Sequence, residues 1–224
     1  VDDEVRKAPL FTALDDEAAL ALRASMTDVS LAKGEVLFHE GDSGDSLYVI
    51  SEGKIKLGTK SADGRENLLS LLGSGQMFGE LSLFDPGPRT STATALTDAR
   101  LLALANKDLE PLLNGRPEVA KHLLRALAQR LRRTNEVVGD LVFSDVPGRV
   151  AKALGDLAKR FGTKSSDGIY VAHDLTQEEL AQLVGASRET VNKALADFAF
   201  RGWLRLEARA VVILDEERLA KRSR

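Results

Sequence analysis

Residues 116–143 read RPEVAKHLLRALAQRLRRTNEVVGDLVF. Pro117 suits the first turn of a helix, where its missing N–H costs nothing, and no proline follows it. The rest are fair helix formers, with one glycine, Gly139, near the end. Apolar residues at Ala120, Leu124, Leu127, Leu131, Val138 and Leu141 step by threes and fours, the seam along which two long helices pair. The spacing therefore predicts a dimerisation helix over 116–143, joining two copies of the chain. Thr134 occupies the seam position between Leu131 and Val138, with Asn135 beside it. A polar pair there costs stability unless something satisfies it. It is either a register device, like a buried Asn in a zipper, or the place where a ligand touches both helices of a dimer.

At 224 residues, 43% apolar and 29% charged, the chain is long enough for two ordinary domains and too apolar to be disordered. No apolar run approaches the roughly 18 residues of a membrane span. The N-terminal VDDEVRKAPLF is acidic and lacks the apolar core of a signal peptide. The absence of cysteine excludes disulfides, a thiol nucleophile, Cys-ligated clusters and zinc fingers. A cytoplasmic protein with no membrane partner is expected. The net charge of −3 hides an asymmetry: residues 1–115 carry a net −8 and residues 116–224 a net +5. The basic back, not the acidic front, is the half suited to a polyanion. The expected division is 1–115, 116–143 and 144–224.

The front begins with helical sequence over 2–27, where Asp15 or Asp16 can cap a helix running to about Ser25. From Val29 to Leu104 the texture changes. Short runs (36–38, 47–50, 54–57, 68–72 and 99–104) are separated by glycine turns, among them Asp63-Gly64, a strong hairpin signal. Such strands predict an antiparallel sandwich or barrel, and the whole chain an α+β protein.

Within this region Phe78-Gly79-Glu80-Leu81-Ser82-Leu83-Phe84-Asp85-Pro86-Gly87-Pro88-Arg89-Thr90 stands out. A glycine precedes a short helical segment, a Pro/Gly turn ends it, and an arginine and a hydroxyl follow. Arg89 can hold a phosphate through paired N–H donors, and Thr90 adds a hydroxyl. An ionised Glu80 only accepts, so it suits a ribose hydroxyl. The alternative is that Glu80 and Arg89 pair with each other, or that Arg89 is a solvated turn residue.

After Phe143, Ser144 or Asp145 can cap a new helix with Pro147 in its first turn, leaving a non-helical hinge before it. Val150, Leu154, Leu157, Ala158 and Phe161 make that helix amphipathic. Thr163–Gly168 reads as a polar loop and Ile169–Val171 as a strand. Thr176 and Glu179 then form a capping box, and Leu180, Leu183 and Val184 a buried face. Gly185 allows a sharp turn and Ser187 caps a second helix. That helix buries Val191, Leu195 and Phe198 and displays Arg188, Glu189, Asn192 and Lys193. The pattern is a helix-turn-helix. Arg can read guanine and Glu can accept from cytosine, while Ser187 and Thr190 suit phosphates. Residues 203–206 and 211–214 read as a hairpin wing, and Arg218, Lys221, Arg222 and Arg224 as a diffusely basic tail.

The stretch 78–93 resembles the phosphate-binding cassette of cyclic-nucleotide-binding domains, and 40–55 resembles the entrance to their β-roll. With the run Ser187-Arg188-Glu189-Thr190-Val191, the chain resembles the Crp/Fnr family of transcription regulators from about Leu10 to Arg222, and its actinobacterial members most. The resemblance implies a jelly-roll-like β-roll that binds cyclic AMP, a dimerisation helix and a C-terminal winged helix-turn-helix. It places the nucleotide on Gly79, Glu80, Leu81, Ser82, Arg89 and Thr90, with Thr134 and Asn135 meeting adenine from the two subunits. It also implies an inverted DNA repeat resembling TGTGA-N6-TCACA, read by Arg188, Glu189 and Lys193. The expected DNA-binding set is completed by Thr176, Gln177, Ser187, Thr190 and Asn192. Lys193 stands where the enterobacterial relative has arginine, which replaces a fork by a point charge. RNA polymerase is the further partner the resemblance implies, with 162–168 as a candidate contact. Other members sense haem or iron–sulfur clusters, and the missing cysteines argue against the cluster. His39, His122 and His173 fall on three different elements, so no metal is expected, and no nucleophile–base pair points to an enzyme.

Overall fold

The structure is a computed structural model and describes residues 1–223. Internal packing divides the chain into two units, residues 1–64 with 69–132, and residues from 133 onward with 65–68.

The first unit opens with a single turn, α1 (Asp3–Arg6), and a helix, α2 (Asp16–Ser25). Of the two candidate caps, Asp15 serves, accepting from the Ala18 N–H at 2.8 Å. The strands are β1 (Thr27–Leu31), β2 (Val36–Phe38), β3 (Ser46–Glu52), β4 (Ile55–Lys60), β5 (Glu66–Leu72), β6 (Met77–Phe78), β7 (Thr92–Ala95) and β8 (Ala99–Ala105), with one helical turn, α3 (Leu81–Phe84), between β6 and β7. They form two four-stranded sheets, ordered β1-β8-β3-β6 and β2-β7-β4-β5. Period-2 alternation sets the layers. Leu47, Val49, Leu102 and Leu104 pack with the helices, whereas Tyr48, Ile50 and Leu101 pack with residues of the second sheet such as Ile55 and Ala93. The short runs 36–38, 47–50, 68–72 and 99–104 fall within β2, β3, β5 and β8, and the run 54–57 overlaps β4, which starts one residue later at Ile55. Strand β7 carries no large apolar residue; it fills its place with alanine, and Ala93 and Ala95 are buried.

Two helices follow, α4 (Asn106–Gly115) and α5 (Pro117–Phe143). Helix α5 has two apolar faces. Val119 and Leu123 are buried in the first unit's core. The seam residues Leu124, Leu131, Val138 and Leu141 remain 64%, 62%, 55% and 49% exposed within the single chain.

The second unit continues after Ser144 and Asp145 with α6 (Val146–Phe161), capped by Asp145, whose carboxylate accepts from the Gly148 N–H at 2.9 Å. Then come β9 (Gly162–Lys164), β10 (Ile169–Val171), α7 (Gln177–Val184), α8 (Arg188–Phe200), β11 (Leu204–Glu207), β12 (Ala210–Ile213) and α9 (Glu216–Arg222). The four strands form one sheet, β11-β12-β10-β9.

Two expectations are corrected here. The polar loop over 163–168 is in part strand β9, with Thr163 opposite Tyr170. As the outermost strand of its sheet it needs no apolar face, so it left no apolar period to read. The basic tail is helix α9, anchored by buried Leu219. Its charges are paired: Arg218 with Asp215, Lys221 with Glu217 and Arg222 with Asp145. Arg224 lies outside the described residues. A smaller difference concerns α7, where Leu183 is half-buried and Ala181 takes a place in the core. Among the described residues no helix is long and apolar enough to cross a membrane.

Candidate functional site

In the first unit the residues from Gly79 to Thr90 wrap around one buried charge. Gly79 leaves β6 with φ +82°, and a Cβ there would lie 2.8 Å from Arg89 Nη1 and 3.1 Å from the Ser46 carbonyl. Only a glycine turns the chain this way with the arginine behind it. Glu80 and Arg89 are 2% and 6% exposed. Arg89 Nη1 donates to the Gly79 carbonyl at 3.0 Å and to Ser82 Oγ at 3.3 Å, and Nη2 donates to the Ser46 carbonyl at 2.8 Å. Its guanidinium lies over the Phe38 ring, 4.2 Å from the centroid, and 5.7 Å from that of Tyr48. Phe38, Tyr48 and Phe78 pack on one another, so the arginine rests on an aromatic floor. Burial pushes the Tyr48 phenol up from its ordinary value, with the Arg89 charge pulling the other way. The arginine's backbone is laced to the loop after β2: its N–H donates to the Asp42 carbonyl at 2.7 Å, and its carbonyl accepts from Gly41 at 2.8 Å.

Glu80 and Arg89 do not pair with each other. The partner of Glu80 is Arg130 on α5, whose Nη1 donates to Oε1. Sequence reasoning missed this arginine. It stands four residues before Thr134, one helical turn, but lies in a run of arginines that gives no reason to choose among them. Two polar atoms of the cassette stay buried without a hydrogen bond, Glu80 Oε2 and Arg89 Nε. Burying a guanidinium costs several kcal/mol unless its charge is met, and among the described residues Arg89 meets only carbonyls, a hydroxyl and rings. One unfilled donor on a buried cation and one unfilled acceptor on a buried anion fit a ligand that carries an anionic oxygen and a hydroxyl on one small frame. Of the other expected contacts, Ser82 is buried against Arg89, while Leu81 and Thr90 are exposed at the surface. Thr134 and Asn135 are exposed on α5.

The second unit presents the other candidate surface. Both halves of the capping box form: Glu179 N–H donates to Thr176 Oγ1 at 3.1 Å and Thr176 N–H to Glu179 Oε2 at 2.8 Å. Gly185 closes α7 in the left-handed region, φ +74°. Ser187 Oγ accepts from the Thr190 N–H at 3.2 Å and meets Thr190 Oγ1 at 2.8 Å. Helix α8 buries Val191, Ala194, Leu195 and Phe198, and Trp203 stacks on Phe198 behind it. Arg188, Glu189, Thr190 and Lys193 are exposed and Asn192 is half-buried. Lys193 Nζ lies 2.7 Å from Glu189 Oε1, one turn away, so the two candidate base readers steady each other. Gln177 is exposed at the start of α7, whereas the Thr176 hydroxyl is engaged in its cap.

Among the described residues no group of three or more His, Asp or Glu side chains could hold a metal ion. His173 is buried and uses Nδ1 to accept from the Leu175 N–H, and His122 meets Thr12 Oγ1.

Comparison with known proteins agrees with this division of labour. Residues 28–116 match the cyclic nucleotide-binding domain, and residues 148–222 match the Crp-like helix-turn-helix domain. The chain is 54% identical, over all of both chains, to a protein of Mycobacterium tuberculosis named CRP-like cAMP-activated global transcriptional regulator. It is similar to the solved catabolite activator protein of Thermus thermophilus, with 34% identity, 96% of this chain and 98% of that chain covered, and a TM-score of 0.56. FixK2 of Bradyrhizobium japonicum shares the fold, at 23% identity and a TM-score of 0.79 over 89% of this chain and 98% of that chain.

Proposed function

The chain belongs to the Crp family of transcription regulators, and from that premise we propose that it is a homodimer whose hold on DNA is strengthened by cyclic AMP. The observation that carries this is the cassette: a buried Arg89 that meets no carboxylate among the described residues, an unfilled donor at its Nε and an unfilled acceptor at Glu80 Oε2. A cyclic nucleotide brings both missing partners, a monoanionic phosphate for Arg89 and a ribose 2′-hydroxyl for Glu80. Gly79, Leu81, Ser82 and Thr90 would close round the phosphate through backbone and hydroxyl groups. The name of the Mycobacterium tuberculosis relative supports adenine as the base. Thr134 and Asn135, hydroxyl and amide side by side on α5, are suited to the edge of that base.

In this reading residues 1–115 hold the ligand, 116–143 pair two subunits through the exposed seam, and 144–224 read DNA. Arg188, Glu189 and Lys193 would enter the major groove of an inverted repeat resembling TGTGA-N6-TCACA. Ser187 and Thr190 would fix the helix on the phosphates, with Thr176, Gln177 and Asn192 completing the DNA-binding set. The protein acts in the cytoplasm as activator or repressor according to promoter, with RNA polymerase as a further partner. The ligand works by preferring one of two dimer states, which requires only a few kcal/mol of differential affinity.

The test is binding to a labelled TGTGA-N6-TCACA duplex at fixed salt, with and without cyclic AMP, for the wild type and Arg89→Ala. Tighter binding with the nucleotide, lost in the variant, is the expected result. Binding indifferent to cyclic AMP would leave a constitutive or differently liganded regulator instead.

A further inference from the structure

The hinge between α5 and α6 is two residues long, Ser144 and Asp145. Arg149, in the first turns of α6, reaches back to it, and Nη1 donates to the Ser144 carbonyl at 2.8 Å. The same guanidinium donates from Nε to the Val184 carbonyl at 3.1 Å and from Nη2 to the Gly185 carbonyl at 3.2 Å. One side chain thus joins the end of α5, the start of α6 and the turn between α7 and α8. The end of α5 reaches that turn directly as well. A Cβ added at Gly185 would lie 2.9 Å from Leu141 Cδ2.

The carbonyls of Val184 and Gly185 lie at the end of α7, where helix geometry leaves acceptors without an intrahelical donor. Two residues beyond Gly185 stands Ser187, the N-cap of α8. Wherever Arg149 holds these carbonyls, it holds the first turn of α8. Three carbonyls in fixed directions suit a planar fork and not an ammonium. The other ties at the hinge, Lys152 with Asp140 and Arg222 with Asp145, are partly or largely exposed ion pairs and engage no carbonyl of that turn. Ion pairs of that kind are individually weak.

We propose that Arg149 is a positioning residue for DNA recognition, locking the attitude of α8 to that of the last turn of α5. A change in α5 then reaches the recognition helix through this guanidinium, beside the direct approach of Leu141 to Gly185. This rests on the reading of α8 as the DNA-reading helix.

The experiment uses the full chain as wild type, Arg149→Gln and Arg149→Lys. Hydrogen exchange read by mass spectrometry follows amides 186–191 against those of α6 and the β10–β12 sheet. The DNA titration above is run in parallel with and without cyclic AMP. In Arg149→Gln, amides 186–191 should exchange about tenfold faster, the worth of one charge-assisted hydrogen bond, while the reference amides keep their protection. Arg149→Lys should fall between, since an ammonium can keep one of the three bonds. The ratio of DNA affinities with and without nucleotide should shrink by a similar factor, about tenfold. Unchanged exchange at 186–191 overturns the proposal, and so does uniform acceleration across the second unit, the mark of a merely structural role. If Arg149→Gln does not fold, Arg149→Lys carries the same comparison. If the wild type fails to bind the duplex, the exchange result still decides whether Arg149 holds the turn, and only the reading of α8 falls.

Discussion

The carboxylate of Glu80 is bound by the guanidinium of Arg130, 50 residues further along the chain on α5. The cassette and the long helix are therefore already joined within one subunit. The other oxygen, Oε2, is buried without a hydrogen bond, and in the proposed function it is the acceptor offered to a ribose hydroxyl. A ligand at Glu80 would thus sit beside an existing cassette–helix tie.

Arg130→Ala should weaken the first unit. The Glu80 side chain is 3% exposed and that of Arg130 is 34% exposed. Removing one partner of a buried pair costs about 3–5 kcal/mol, and the partial exposure of Arg130 reduces this to roughly 1–3 kcal/mol. Urea denaturation monitored by circular dichroism would show it. An unchanged midpoint would mean that the pair contributes nothing to stability.

Gly79→Ala should lose nucleotide affinity and stability together. The left-handed backbone costs a β-carbon about 1–2 kcal/mol, and the new methyl would displace Arg89 Nη1. Calorimetric titration with cyclic AMP is expected to show at least roughly tenfold weaker binding for a loss of that size. Wild-type affinity in the variant would contradict the placement of Arg89 at the phosphate.

Asp145 supplies a pH dependence with a definite sign. Its bond to Arg222, then the Gly148 N–H, hold its carboxyl below the ordinary value of 3.8. A depressed carboxyl stabilises the fold above its unfolded-state value, and that contribution is lost as pH falls through the folded-state value. Asp145→Asn keeps an N-cap and removes the charge. At pH 7 the variant should be less stable than the wild type, by no more than about 1 kcal/mol because the pair is largely exposed. The difference should close as pH drops below 3.8. A gap that persists or widens in acid, in thermal melts across pH, would contradict this.

Leu124→Asp combined with Leu131→Asp should abolish pairing of subunits while leaving the single chain folded, because both side chains are exposed within it. Burying a leucine is worth about 1.5–3 kcal/mol, so losing two should raise the dimer dissociation constant at least roughly hundredfold. Analytical ultracentrifugation would show monomer. A dimer that survives both changes would place the interface elsewhere.

Much of this protein was decided within a few residues at a time. Pro117 opens α5, Thr176 and Glu179 box the start of α7, and Ser187 caps α8. Those bonds span three or four positions, so the sequence alone contains both partners. The Asp63-Gly64 turn between β4 and β5 and the glycine that ends α7 are equally local. Where two neighbours could serve, at Asp15 or Asp16 and at Ser144 or Asp145, the chain's path made the choice. The polar edge strand β9 and the alanine strand β7 were not legible as strands, because the sheet supplies what their own residues lack. Nor was α9, whose basic residues look solvated until Asp145, 77 residues earlier, comes to meet Arg222. The same holds for Glu80 with Arg130 and for Arg149 with Val184 and Gly185. Each joins residues 35 or more apart. Local sequence determined the helices, caps and turns, and the residue types able to hold a phosphate or a base. Tertiary structure decided which charges meet, because a long-range pair exists only after the core around it has packed and brought its elements face to face.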